Sequence, residues 1–205
     1  MSTTPIGLEI GSTWVFAAAV DWPGWSRRGK GEDAAIAALL EHADRYRWVA
    51  GPGFRAGRSE VVGRVDGNAT TNFGAPGVRG PWDDERLDAA EVARHVGLLR
   101  SSWEAFDQAT AAAPTVLPKG PRGGGRDRDD MAEHVREAER SYARRVGVRV
   151  PPRTPWTEQR DKIAAALMEE RAGPATTAWP PRYFIRRSAW HVLDHAWEME
   201  DKSCR

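Results

Sequence analysis

Read from its N-terminus, the chain first shows short apolar runs, then long amphipathic ones. Residues 13–20 are apolar and partly β-branched, and a polar turn, Asp21-Trp22-Pro23-Gly24, bounds them. That pattern predicts a strand and a turn, with residues 25–31 able to return as a second strand. Glu32 and Asp33 then open an amphipathic helix in which Ile36, Leu39, Leu40, Ala43 and Tyr46 share a face. Acidic residues suit that first turn because the helix dipole is positive there. Residues 60–65 read as a further strand, and the Gly- and Pro-rich stretch 66–80 reads as loop.

Beyond Gly80 the period lengthens to that of helices. Four helical segments are predicted, at about 83–113, 126–146, 157–171 and 181–202, parted by Pro114, the glycine-rich run 118–125, Gly173-Pro174 and Pro180-Pro181. The last starts on proline, where a missing N–H costs least. Together these elements predict an α+β chain: a small N-terminal α/β domain over residues 1–80, then an antiparallel four-helix bundle over 81–205.

Composition narrows the chemistry. The chain has 205 residues, 30 Lys+Arg against 29 Asp+Glu, and a net charge of +1. Near-neutrality argues against a nucleic-acid partner held by bulk charge. No 18-residue apolar run is present, so no membrane span is expected. Residues 1–9 lack a basic region followed by an apolar one, which reads as no signal peptide and a cytoplasmic protein. Cys204 is the only cysteine, which excludes a disulfide framework and thiolate-rich zinc sites.

Histidines carry the chemistry that remains. His191 and His195 stand four apart in the last helix, one turn and about 6 Å along its axis. Ile185, Ala189, Val192, Ala196 and Met199 form the apolar stripe of that helix, and the two histidines lie along its edge. His134 has the same relation to the stripe Met131, Val135, Ala138, Tyr142 and Val146 in the second segment. One imidazole facing two others across a core describes a three-nitrogen metal site with positions left open for water or substrate. Taken singly, each is more readily a packed core histidine, and His42 and His95 read as structural or surface residues. Asp130, Glu137 and Glu198 are the neighbouring acids that can orient the ligands.

Anion-binding candidates flank these helices. Gly123, Gly124 and Gly125 precede the helix bearing His134 and can turn backbone N–H groups toward an anion, though a flexible connector is the more ordinary reading. Arg182, Arg186 and Arg187 can meet a carboxylate or form ordinary ion pairs; Arg186, with the three glycines, is the candidate for an anion or thiol. Trp190 and Trp197, on the face away from the His pair, are expected to pack the N-terminal part onto the helices.

A helix with one His and a last helix with His-x-x-x-His resembles the DinB/YfiT-like superfamily of metal-binding bundles. Residues 183–201, around His191-Val192-Leu193-Asp194-His195, and residues 129–139, around His134, carry the resemblance, which spans about 81–205. It implies a divalent metal, zinc or nickel, held by His134, His191 and His195. It further implies a low-molecular-weight thiol such as mycothiol as co-substrate, and a transferase or isomerase acting on a small electrophile. The alternative is a non-catalytic metal-binding or interaction protein. The N-terminal strand, turn, strand and helix resemble a HicB-like α/β module, without a DNA-binding segment. The partner expected is thus a small-molecule substrate, with no nucleic acid and no membrane; a homodimer stays open.

Overall fold

In the computed structural model, residues 3–119, 125–169 and 178–204 are described. Four strands and seven helices follow in the order β1 (Thr3–Ile10), β2 (Val15–Ala19), β3 (Ser26–Gly29), α1 (Glu32–Glu41), α2 (Ala43–Ala50), β4 (Arg58–Asp66), α3 (Ala69–Phe73), α4 (Ala89–Ala112), α5 (Arg128–Arg145), α6 (Trp156–Met168) and α7 (Pro181–Ser203). A short 3-10 turn, Pro81–Asp83, precedes α4.

The sheet runs β3-β2-β1-β4 and is mixed. β2 pairs antiparallel with β1 and β3, whereas β4 lies parallel to β1. A parallel pair needs a crossover, and β2, β3, α1 and α2 supply it. Every residue of β2 is buried, as befits a central strand of small apolar side chains. Gly7 and Gly63 face each other across the β1–β4 pair. Trp82 lies flat on them, so close that a Cβ on Gly7 would sit 2.4 Å from its ring and one on Gly63 2.7 Å. At the β2–β3 turn Gly24 has a φ of +93°, and a Cβ there would lie 2.7 Å from Leu193 of α7. Only glycine permits both that conformation and that approach.

Two apolar cores result. One lies among α4–α7 and includes Leu99, Trp103, Phe106, Met131, Val135, Ile163, Phe184 and Val192. The other lies against the sheet under α1 and α2. There Trp25 stacks on Tyr46 at 5.8 Å, donates to the Leu39 carbonyl at 2.8 Å, and meets Phe54 edge-on. Leu193 and Trp197 of α7 belong to this sheet-side core, while Ile185, Ala189 and Val192 of the same helix belong to the other.

This arrangement corrects the α+β expectation. The molecule is mixed α/β, with a mixed four-stranded sheet and seven helices, and an antiparallel four-helix bundle does not stand out within it. The reason is α7. Residues 182–193 are all buried, so over this stretch the helix presents no solvent face and serves the sheet as well as the other helices. The stripe read from its sequence is one of two apolar surfaces. Three smaller differences go with it. β1 is absent from the expected strands because Pro5, Gly7 and Glu9 interrupt its apolar pattern. The first predicted helix divides at His42 into α1 and α2. The 66–80 stretch contains α3, which Asn68 caps by accepting from the Thr70 and Thr71 N–H groups. Among the described residues no helix is long and apolar enough to cross a membrane.

Since Leu193 joins α7 to the sheet, Leu193→Ala should cost about 3 kcal/mol. Urea unfolding should show the loss as a lower midpoint with a single transition retained.

Candidate metal centre

α5 starts with Asp129 and Asp130 in its first turn and ends with Arg144 and Arg145, charges that match the helix dipole at both ends. Its position is set by Glu139, 1 % exposed. That carboxylate accepts from the Trp156 indole at 2.6 Å and from Gln159 at 3.4 Å, and Arg160 lies 3.5 Å away, all three on α6. Met131 and Val135, fully buried, turn the same helix toward α7. His134 lies between them, half-buried, and faces His191 and His195.

The three imidazoles converge. Ring centroids lie 5.1 Å apart for His134–His191, 5.1 Å for His134–His195 and 4.7 Å for His191–His195, in edge-to-face orientations. Nε2 of His134 is 3.2 Å from Nε2 of His191. One nitrogen from each ring can be chosen so that all three lie within 4.8 Å of one another. For metal–nitrogen bonds of about 2.0–2.1 Å at tetrahedral angles, neighbouring ligand nitrogens stand roughly 3.3 Å apart. The His134–His191 pair already has that spacing, so the cluster could hold a metal ion.

Protonation favours the same reading. Burial is the main cause that lowers His134 to about 4, and the charge of Arg126 adds to it. Burial likewise drives His191 well below its ordinary value. Both rings are therefore neutral at pH 7, each with a lone pair to offer. Glu198 sits 3.2 Å from Nδ1 of His195. The hydrogen bond from His195, with help from Lys202, holds its carboxyl down to about 2. An ionised carboxylate only accepts, so Nδ1 carries the proton and Nε2 is left free for a cation. Among the described residues Nδ1 of His191 is buried without a hydrogen-bond partner.

The remaining candidates fall in different places. Arg186 donates to both oxygens of the buried Asp83 at 2.8 and 2.6 Å, so its guanidinium is already matched by a carboxylate. Arg182 pairs with Asp21 at 2.9 Å and Glu85 at 3.3 Å. Gly123 and Gly124 lie outside the described residues. Gly125 is exposed with a φ of +128°, and Lys119 donates to its carbonyl at 3.4 Å. Asp130 is exposed, and Glu137 pairs with Arg140, so Glu198 alone of the three acids meets a histidine of the cluster. Trp190 meets Phe16 of β2 edge-on at 5.8 Å and Trp197 enters the sheet-side core, the packing expected of them. Asp194, between the two α7 histidines in sequence, points to Arg27 of β3 at 3.4 Å. His42 contacts the Ala38 carbonyl at 2.9 Å, and His95 is buried at 2 % exposure.

Sequence reasoning passed over the aromatic wall of the site. Tyr142 of α5 lies 5.9 Å from the His191 ring, and Trp179 packs on Tyr142 at 5.2 Å. The periodicity placed Tyr142 in an apolar stripe, and nothing in it marks a ring that borders a ligand. Comparison with protein-family models, with characterised proteins and with solved structures finds no match to the chain.

His95 generates a pH prediction away from the cluster. Burial, then Arg94 and Arg182, lower it to about 4 from 6.5. Between those values the unfolded chain binds the proton and the folded chain does not, so stability falls as pH drops from 6.5 to about 4. His95→Gln should remove up to about 3 kcal/mol of that loss, measured as the difference in urea stability between pH 7 and pH 4.

Proposed function

We propose that the chain binds one divalent transition-metal ion, zinc or nickel, on His134, His191 and His195. We further propose that it uses the ion in a thiol-dependent transfer or isomerisation, with mycothiol or a similar small thiol as co-substrate and a small electrophile as substrate. The observation that carries this reading is the convergence of three imidazoles from two helices, one of them backed by a carboxylate. Among the described residues the cluster includes no cysteine and no carboxylate. Nitrogen-only donors suit zinc and nickel better than calcium or magnesium, which take oxygen. The resemblance of residues 129–139 and 183–201 to the DinB/YfiT-like superfamily supports the same assignment.

A divalent ion in such a site supplies Lewis acidity, which lowers the pKa of a thiol or water toward neutrality. The chain does the rest. His191, held rigidly in α7, and His134, presented by α5, fix two directions of the site, and Glu198 keeps the proton of His195 on Nδ1. Three uncharged ligands leave the full dipositive charge uncompensated, so the site favours an anionic further ligand such as a thiolate. His134 and His195 are half-buried, which leaves one side open to a small molecule.

A second reading, a non-catalytic metal-binding protein, draws on the same geometry, because an ion shared by α5 and α7 ties two helices together. One pair of measurements tests both. Protein purified without a His tag should carry roughly one zinc or nickel per chain, and His191→Ala should carry almost none. Metal in thousandfold excess over its Kd should stabilise the wild type by about 4 kcal/mol. Metal-dependent conjugation of mycothiol to a chloro-nitroarene supports the enzyme; stabilisation without conjugation supports the binding protein; equal metal content in both chains removes both readings.

A further inference from the structure

The first two turns of α7 bury three arginines, and two of them are neutralised within the fold by Asp21, Glu85 and Asp83. Arg187 is different. It is 8 % exposed, its Nη1 is fully buried, and no hydrogen-bond or ion-pair partner faces it among the described residues. What surrounds the guanidinium is aromatic: Trp190 at 4.8 Å and Tyr142 at 5.3 Å.

Those two rings also border the metal centre. Tyr142 lies 5.9 Å from the ring of His191 and Trp190 lies 6.2 Å from it. Arg187 and His191 are four apart in α7, on one face and about 6 Å apart along the axis. A buried, unpaired cation is costly. Ring faces recover part of that cost, yet they offer no acceptor to the five guanidinium N–H groups. Among the described residues the fold thus keeps a preformed fork, unpaired at its buried Nη1, one turn from the histidines. A planar fork with a single positive charge matches a carboxylate in both shape and charge.

We propose that Arg187 is the carboxylate receptor of the metal centre. The site then selects small monocarboxylates, whether substrate or thiol, with the acid group on Arg187 and the reacting atom toward His134, His191 and His195. The second contact rests on the metal-binding reading; the first rests on Arg187 alone.

Two arms of one experiment separate these. In metal-free protein, fluorine NMR of 4-fluorobenzoate should show binding, with 4-fluorobenzamide, its neutral analogue, about tenfold weaker or more. Arg187→Met should erase that preference and Arg187→Lys should keep part of it. Binding of both probes alike, or of neither, by the wild type overturns the proposal without reference to any variant, as does an Arg187→Met chain with native circular dichroism that keeps the preference. In cobalt-loaded protein, mercaptoacetate should produce the thiolate charge-transfer band at about a tenth of the concentration that 2-mercaptoethanol requires. Failure to load cobalt would count against the metal reading while the fluorine arm still decides Arg187.

Discussion

A helix stretch that buries its whole circumference must find a neighbour on every side, and residues 182–193 of α7 do. Ile185, Ala189 and Val192 enter the core shared with α4, α5 and α6, while Leu193 and Trp197 enter the core beneath the sheet. Gly24 lets the β2–β3 turn come within van der Waals reach of Leu193 and Ala189. Held from both sides, α7 has little freedom to rotate or slide, and the directions in which Arg187, His191 and His195 project are fixed before any ligand arrives. Preorganisation of this kind would spare the two α7 imidazoles most of the ordering entropy of holding an ion.

The electrostatics follow from the same burial. A helix stretch without a solvent face cannot leave its charges to water, and most of those on the buried part of α7 are matched across the fold. Arg182 reaches Asp21 and Glu85, Arg186 reaches Asp83, and Asp194 reaches Arg27. Glu9 of β1 is buried as well, and it is satisfied by donors from Thr71, Gly77 and Val78, which pins the loop ahead of α4 to the sheet. Among the described residues Arg187 Nη1 and His191 Nδ1, one turn apart in α7, are buried without a hydrogen-bond partner, as are atoms elsewhere in the fold such as Arg160 Nη2 and Glu139 Oε1. Unsatisfied buried polarity is uncommon in folded proteins.

Much of the local structure was legible from the chain. The helical segments were found to within a few residues, Pro181 marked the start of α7, and the spacing of His191 and His195 put both rings on one edge of a helix. Helix signals are local, because 3.6-residue periodicity and end chemistry are written within a single segment. β1 was illegible for the opposite reason. Its identity rests on pairing with β2 and, across more than fifty residues, with β4, and no local pattern records a distant partner. The Asp88-Glu91 capping box of α4 was written in the sequence, but the acidic stretch before it obscured the start.

What the sequence determined by itself was therefore the four long helical segments, the His-x-x-x-His geometry, and the lack of a thiolate-rich ligand set. Three matters were decided only by tertiary structure. His134 became a partner of the α7 pair because Glu139 and the apolar side of α5 set its rotation. Arg186 and Arg187, adjacent in sequence and chemically identical, were given opposite situations, one facing Asp83 and the other facing two aromatic rings. The expected bundle gave way to a mixed α/β fold because α7 carries a second apolar face. A stripe of hydrophobic residues states that a helix face is buried. What it is buried against, and which charges it meets there, is settled only when distant segments pack.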